Sequence, residues 1–197
     1  MWPLGYACLV IPQRKTTMLM DAARSSLLIV DVQQNLGPVM AEPRQVYRNC
    51  VRLLRGAARL AVPVTISEQY PKGIGPTMGE VLAEAPEGAV VEKMHFSCAA
   101  EPAILSRLQA FQRPQVVVAG IEAHVCVLQS AIGLKMAGFD VFVVGDACSS
   151  RVAANHQLAL DRMAAAGVAV VSTEMVLFEW LHVAGTSEFK DVLSLIK

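Results

Sequence analysis

Charge is scarce in this chain. Only 17% of its 197 residues are Asp, Glu, Lys or Arg, against about a quarter in an average globular domain, and the formal net charge is zero. No basic footprint for nucleic acid and no polybasic face for an anionic membrane is expected, so neither is a general partner. The deficit implies instead that part of the surface is covered by further copies of the chain. Cys-x-x-Cys spacing is also missing. Five cysteines, Cys8, Cys50, Cys98, Cys126 and Cys148, make an odd set, which speaks against a disulfide framework or a zinc cage and for a reducing compartment; the expected location is cytoplasmic.

The four histidines, at 95, 124, 156 and 182, form no His-x-His or His-Glu-x-x-His cluster, so no metal is expected. The first apolar run is followed by DVQQNLGP, without the glycines that cradle a dinucleotide phosphate. That excludes a Rossmann-type oxidoreductase, and no cofactor is expected. Trp2–Pro12 is apolar but too short to cross a bilayer. Its basic residues, Arg14 and Lys15, follow the run, whereas a secretory signal places them before it. Residues 1–24 read as an N-terminal extension, flexible or docking.

From residue 26 onward strand and helix patterns alternate. Apolar runs at 26–31, 63–67, 89–92, 115–119, 140–144 and 168–172 read as strands. Segments 43–61, 101–112, 124–137 and 152–166 read as helices, followed by short ones near 174–182 and 187–196. Pro114, Gly138 and Gly167 punctuate the boundaries. The strands lack period-2 alternation, so both faces are covered. The fold class is α/β, a three-layer, doubly wound, mostly parallel six-stranded sheet in the order 3-2-1-4-5-6.

Ligands of such sheets bind beyond the carboxyl ends of the strands, where strand order reverses. Asp31 closes the first strand, Lys93 follows the third, and Gly120 leads through Ile121-Glu122-Ala123-His124-Val125 to Cys126. A free thiol, of pKa about 8.5, needs a nearby base or a setting that favours thiolate. Asp31 can serve as that base, and the first turn of a helix favours the anion. Lys93 can hold Asp31, and backbone N–H groups at the helix start can form an oxyanion hole. Each residue also has a plainer reading: the cysteine as core, the aspartate as a loop cap, the lysine as solvated.

The segments LLIVDVQ, EKMHFS and GIEAHVCV, in this order and spacing, resemble the isochorismatase-like cysteine hydrolase superfamily, and most closely its isochorismatase domain-containing branch. The likeness runs from about Ser25 to Ser172 or beyond and assigns residues 25–197 to one hydrolase domain. It implies a catalytic triad of Asp31 as general base, Lys93 and Cys126 as nucleophile. It also implies a cis peptide at Ile121–Glu122, which aims the N–H groups of Glu122 and Cys126 at the oxyanion.

Departures narrow the reading. The second strand is followed by SEQYPKG, with Glu68 and Tyr70 and no histidine, which argues against a metal-dependent nicotinamidase. Cys126 argues against the isochorismatase reaction, because a vinyl ether offers no carbonyl to attack. Ala123 and His124 replace the usual Thr-Asp pair. By position, Gln33, Gln69, Tyr70, Phe96 and His124 are candidates for lining the substrate pocket. Cys98 and Cys148 are second thiols near the site or core filler. Ser149, Ser150 and Arg151 bind an acidic substrate group or, for the serines, cap a helix.

The expected function is a metal-independent cysteine hydrolase of a small amide or related carbonyl compound, acting through a thioester. The alternative is a catalytically idle binding or scaffold protein on the same fold. A homo-oligomer, dimer or tetramer, is expected, with the apolar stretch 173–185 as a candidate interface or as a helix packed within its own subunit.

Overall fold

A computed structural model describes residues 19–196. Most of the N-terminal extension, Cys8 included, lies outside the described residues. Six parallel strands form one sheet in the order β3-β2-β1-β4-β5-β6. They are β1 (Ser25–Val30), β2 (Val64–Gln69), β3 (Val90–Lys93), β4 (Gln115–Ile121), β5 (Asp140–Ser149) and β6 (Ala169–Val171). The longer helices are α1 (Pro43–Arg59), α4 (Pro102–Ala110), α5 (Leu128–Met136), α6 (Ala153–Ala165), α7 (Thr173–Leu181) and α8 (Ser187–Ile196). Single turns α2 (Pro71–Ile74) and α3 (Gly79–Leu82) lie between β2 and β3.

β1 shows why the sheet sits between two helix layers. All six of its residues are buried, and successive side chains go to opposite faces. Leu27 and Ile29 join a core with Leu53 and Leu54 of α1 and Leu177 and Trp180 of α7. Leu28 and Val30 join a second core with Ile104 and Leu108 of α4, Leu134 of α5 and Met163 of α6. α1 packs through Val46, Cys50, Leu53, Leu54 and Ala57, while Arg48, Arg55 and Arg59 face outward. Burying each such leucine stabilises the fold by roughly 2 kcal/mol.

The described chain enters close to the sheet. Met20 is fully buried, and its N–H donates to Glu179 Oε2 at 2.7 Å. The Asp21 N–H donates to Gln115 Oε1 at 2.9 Å. The stretch 173–185 is divided: Val176, Leu177 and Trp180 pack into their own subunit, while Met175, Phe178 and Val183 are exposed.

β5 is longer than its apolar run. The sequence reading ends it at Val144, before Gly145 and Asp146. In the structure Val118 of β4 pairs with Val143, but Gly120 pairs with Cys148. Three extra residues of β5 therefore bulge out, and the strand resumes to Ser149. The bulge is held from outside. The Asp146 carbonyl accepts from Asn49 Nδ2 at 2.7 Å, and its carboxylate accepts from the N–H and hydroxyl of Thr173. The consequence is positional: Ser149 pairs with Ile121, and residues 149–151 lie beside the end of β4.

The turn after β4 also differs from expectation. A helix over 124–137 is predicted, but its first turn, Ala123–Val127, is π-helical before α5 begins at Leu128. The N–H of Val127 reaches back five residues to the Glu122 carbonyl at 3.2 Å. Single π turns of this kind are frequent at functional sites.

Candidate active site

The switch point falls between β1 and β4, which pair along their whole length. Gly120, the penultimate residue of β4, has φ of 125°. A Cβ there would collide with the Val30 backbone, so only glycine lets the two strands approach so closely. Just beyond, the peptide Ile121–Glu122 is cis, and Cys126 lies in the π turn that follows. Asp31, the first residue after β1, has φ of 51°, a left-handed conformation that aspartate tolerates better than most residues.

Asp31, Lys93 and Cys126 come together. Asp31 and Lys93 are buried, with Oδ2 and Nζ 2.8 Å apart. Asp31 Oδ1 accepts from the Ser67 hydroxyl at 2.7 Å. The Cys126 thiol lies close enough to the Asp31 carboxylate for each to shift the other's titration and is 5% exposed, so it borders solvent while its two partners do not. Lys93 Nζ has three further oxygen acceptors: Gln69 Oε1 at 2.6 Å, the His95 carbonyl at 3.1 Å and the Phe96 carbonyl at 3.2 Å. With Asp31 Oδ2 these make four oxygens around a group that carries at most three N–H donors.

The electrostatics choose between the two ways of activating a thiol. Burial pushes the Cys126 pKa up, and the Asp31 charge pushes it further, against the pull of Lys93. The setting therefore does not favour a resting thiolate, whatever the helix end contributes. Burial also raises the Asp31 pKa, opposed by Lys93, Ser67 and Cys126. A carboxylate made more basic sits against a thiol, the arrangement for proton transfer during attack rather than before it.

The pocket candidates separate. Gln33 is fully buried, and both its amide hydrogens go to backbone carbonyls, of Gln69 at 3.0 Å and Gly75 at 2.6 Å. Its Oε1 accepts from the Gln69 N–H at 2.8 Å. Gln69 binds the lysine through Oε1 and the Met94 carbonyl through Nε2. Both glutamines thus face protein partners and hold the lysine and the loop after β2. Tyr70, with φ of 39°, is half-exposed and borders a cleft of about 240 Å³ with Pro71, Lys93, Met94 and Glu101. The Phe96 ring is exposed, while its carbonyl serves Lys93. His124 is half-buried at the rim, with Nδ1 2.9 Å from Ser150 Oγ.

The remaining thiols differ in place. Cys98 is buried and donates to Ser67 Oγ at 3.5 Å. Cys148 packs at the β5 bulge, and burial pushes its thiol up to about 12. The four described cysteines are free. Ser149 and Ser150 do not cap α6, whose N-cap is Val152 with no side-chain bond; Ser149 Oγ donates to the Ser150 carbonyl at 3.3 Å, and Ser150 Oγ meets His124. Arg151 pairs with the carboxylate of Glu122, Nε to Oε2 at 3.2 Å. Glu68 Oε1 accepts from the N–H and hydroxyl of Thr77. Among the described residues no three His, Cys, Asp or Glu side chains are grouped to hold a metal ion.

Sequence reasoning missed Ser67. The signal was available: with β2 placed between β1 and β3, the residue beneath an Asp31–Lys93 pair must come from the end of β2.

Residues 25–175 match the family described as Isochorismatase domain. A secreted isochorismatase effector of Phytophthora sojae is 36% identical over 178 residues, covering 88% of this chain and 84% of its own. Isochorismatase domain-containing protein 2 of Danio rerio is 36% identical, over 87% of this chain and 86% of its own. Among solved structures, a protein titled MAR1 ribonuclease from Caenorhabditis elegans superposes with a TM-score of 0.85 at 30% identity, over 90% of this chain and 92% of its own. The Escherichia coli YcaC gene product, titled an octameric hydrolase of unknown specificity, gives 0.86 at 24%, over 92% of each chain. The chain belongs to the isochorismatase-like hydrolase family.

Proposed function

We propose that the chain is a cysteine hydrolase of a small amide or related carbonyl compound that needs no metal. The observation that carries this is the buried Asp31–Lys93 pair at 2.8 Å with the Cys126 thiol against the same carboxylate. Cys126 Sγ attacks the carbonyl carbon as its proton passes to Asp31. The N–H groups of Glu122 and Cys126 receive the developing oxyanion. As the tetrahedral intermediate collapses, the C–N bond breaks and Asp31 returns the proton to the leaving nitrogen, which leaves a thioester. Water then adds to the thioester, again losing its proton to Asp31, and the thiol is reprotonated as the acid departs. Lys93 holds the carboxylate in place.

In a screen of small amides, Cys126→Ala abolishes turnover while the unfolding midpoint changes little. Mass spectrometry of the wild type during turnover shows an acyl group on the peptide containing Cys126. A Cys126→Ala variant that keeps full activity overturns the mechanism. The competing reading, a binding or scaffold protein, draws on the 5% exposure of Cys126; it gains if no acyl adduct forms with any amide that binds.

The chain is further proposed to assemble as a homo-oligomer. The Escherichia coli relative, described as an octamer, supports this, as do the exposed Met94, Phe96, Met175 and Phe178, large apolar groups that association would cover. Light scattering of the purified protein reads the number of copies directly, and a monomer at working concentration removes the proposal. No described helix is long and apolar enough to cross a membrane.

A further inference from the structure

Asp31 follows β1 and Lys93 ends β3, strands that are not neighbours; β2 runs between them. Their ion pair therefore closes over the carboxyl end of β2. Residues 67 and 69 lie two apart and share that face of the strand, while Glu68 between them points the other way, to Thr77. Gln69 meets the lysine. Ser67 meets the carboxylate, its hydroxyl donating to Oδ1 at 2.7 Å. Both are buried.

The direction of the Ser67 bond is set from behind. The thiol of Cys98 donates to Ser67 Oγ at 3.5 Å, and the Cys98 N–H is itself held by Ser130 Oγ at 2.8 Å. Ser67 has one proton to give, and an ionised carboxylate can only accept it. The result is a one-way chain, Cys98 to Ser67 to Asp31 Oδ1, while Lys93 faces Oδ2. Each carboxylate oxygen thus has its own neighbour, the Ser67 hydroxyl at Oδ1 and the Lys93 side chain at Oδ2.

We propose that Ser67 is a positioning residue of the hydrolytic reaction, with Cys98 orienting it, so that Asp31 is kept ionised and correctly turned to take the Cys126 proton. The proposal rests on the reading of Asp31 as base and adds to it the group that holds the base in readiness. It also gives Cys98 a role as a protonated donor, not as a second nucleophile. The titratable groups facing Asp31 are Lys93 at the end of β3, Cys98 in the segment after it and Cys126 in the π turn.

The test follows alkylation of Cys126 by iodoacetamide against pH in the full-length chain, with peptide mass spectrometry isolating that cysteine. In the wild type the rate falls on the acid side as Asp31 takes up its proton. Ser67→Ala moves the midpoint of this fall upward by about one pH unit, the loss expected for a hydrogen bond to a charged group. Ser67→Thr restores it, and Cys98→Ala moves it in the same direction by less. A variant that labels more slowly at every pH with an unmoved midpoint shows a merely structural role and overturns the proposal. Should Ser67→Ala not fold, Cys98→Ala decides, an unmoved midpoint again being fatal. Asp31→Asn separates the two levels. If it leaves the wild-type profile intact, the base reading itself fails. If it removes the fall while Ser67→Ala shifts nothing, only the positioning proposal falls.

Discussion

Replacing Lys93 by methionine keeps most of the side-chain volume and removes the charge. In the wild type the ammonium faces four oxygen atoms within 3.2 Å, one of them the buried carboxylate of Asp31. The variant strands that carboxylate without a counter-charge and leaves Gln69 Oε1 and two carbonyls short of a donor. Breaking a buried pair from one side costs about 3–5 kcal/mol. For a domain of this size that lowers the thermal midpoint by roughly 6–20 °C. The pH dependence carries the sharper test. Burial already raises the Asp31 pKa above 3.8, and without Lys93 it rises further. A carboxyl whose folded pKa is raised contributes most to stability below its unfolded pKa and loses that contribution as pH rises through the folded one. The gap between wild type and Lys93→Met is therefore widest at neutral and alkaline pH and narrows in acid, where Asp31 is protonated. Urea unfolding at several pH values, at one protein concentration, measures it. A gap under about 1 kcal/mol at neutral pH, or one that does not narrow in acid, refutes the reasoning that a buried charge pair organises this site.

Gln33→Ala deprives the Gln69 N–H and the carbonyls of Gln69 and Gly75 of their partners. A stability loss of about 2–4 kcal/mol in urea is expected, together with faster proteolysis of the loop after β2. Gly120→Ala forces a methyl group into the Val30 backbone at φ of 125°. A loss above about 3 kcal/mol is expected, or failure to fold; an unchanged unfolding midpoint contradicts the close approach of β1 and β4.

Periodicity and punctuation were enough to read the strand order and the helix layers. Short apolar strands leave a parallel sheet few alternatives, and the structure has the six strands in the expected order. Asp31, Lys93 and Cys126 were legible as candidates because each stands at a strand end where such a sheet binds ligands, and the resemblance singled out the same three. Single positions say least where a residue's partner is remote. Gln33 and Gln69 look like pocket residues from their place in the chain, yet their amide groups meet backbone and lysine. Ser149 and Ser150 look like caps, yet the N-cap of α6 is Val152. Ser67 drew no notice, since a serine within an apolar strand carries no local signal.

The linear order of residues thus determined which elements form and at which end of the sheet chemistry can occur, because hydrophobic period and turn residues act over a few positions. The tertiary structure alone decided which oxygen of Asp31 meets which neighbour, that burial raises the pKa of both Cys126 and Asp31, and that β5 bulges beside the end of β4, where Arg151 meets Glu122. Those outcomes depend on burial, charge and hydrogen bonding between segments tens of residues apart, whose energies exist only once the strands are side by side.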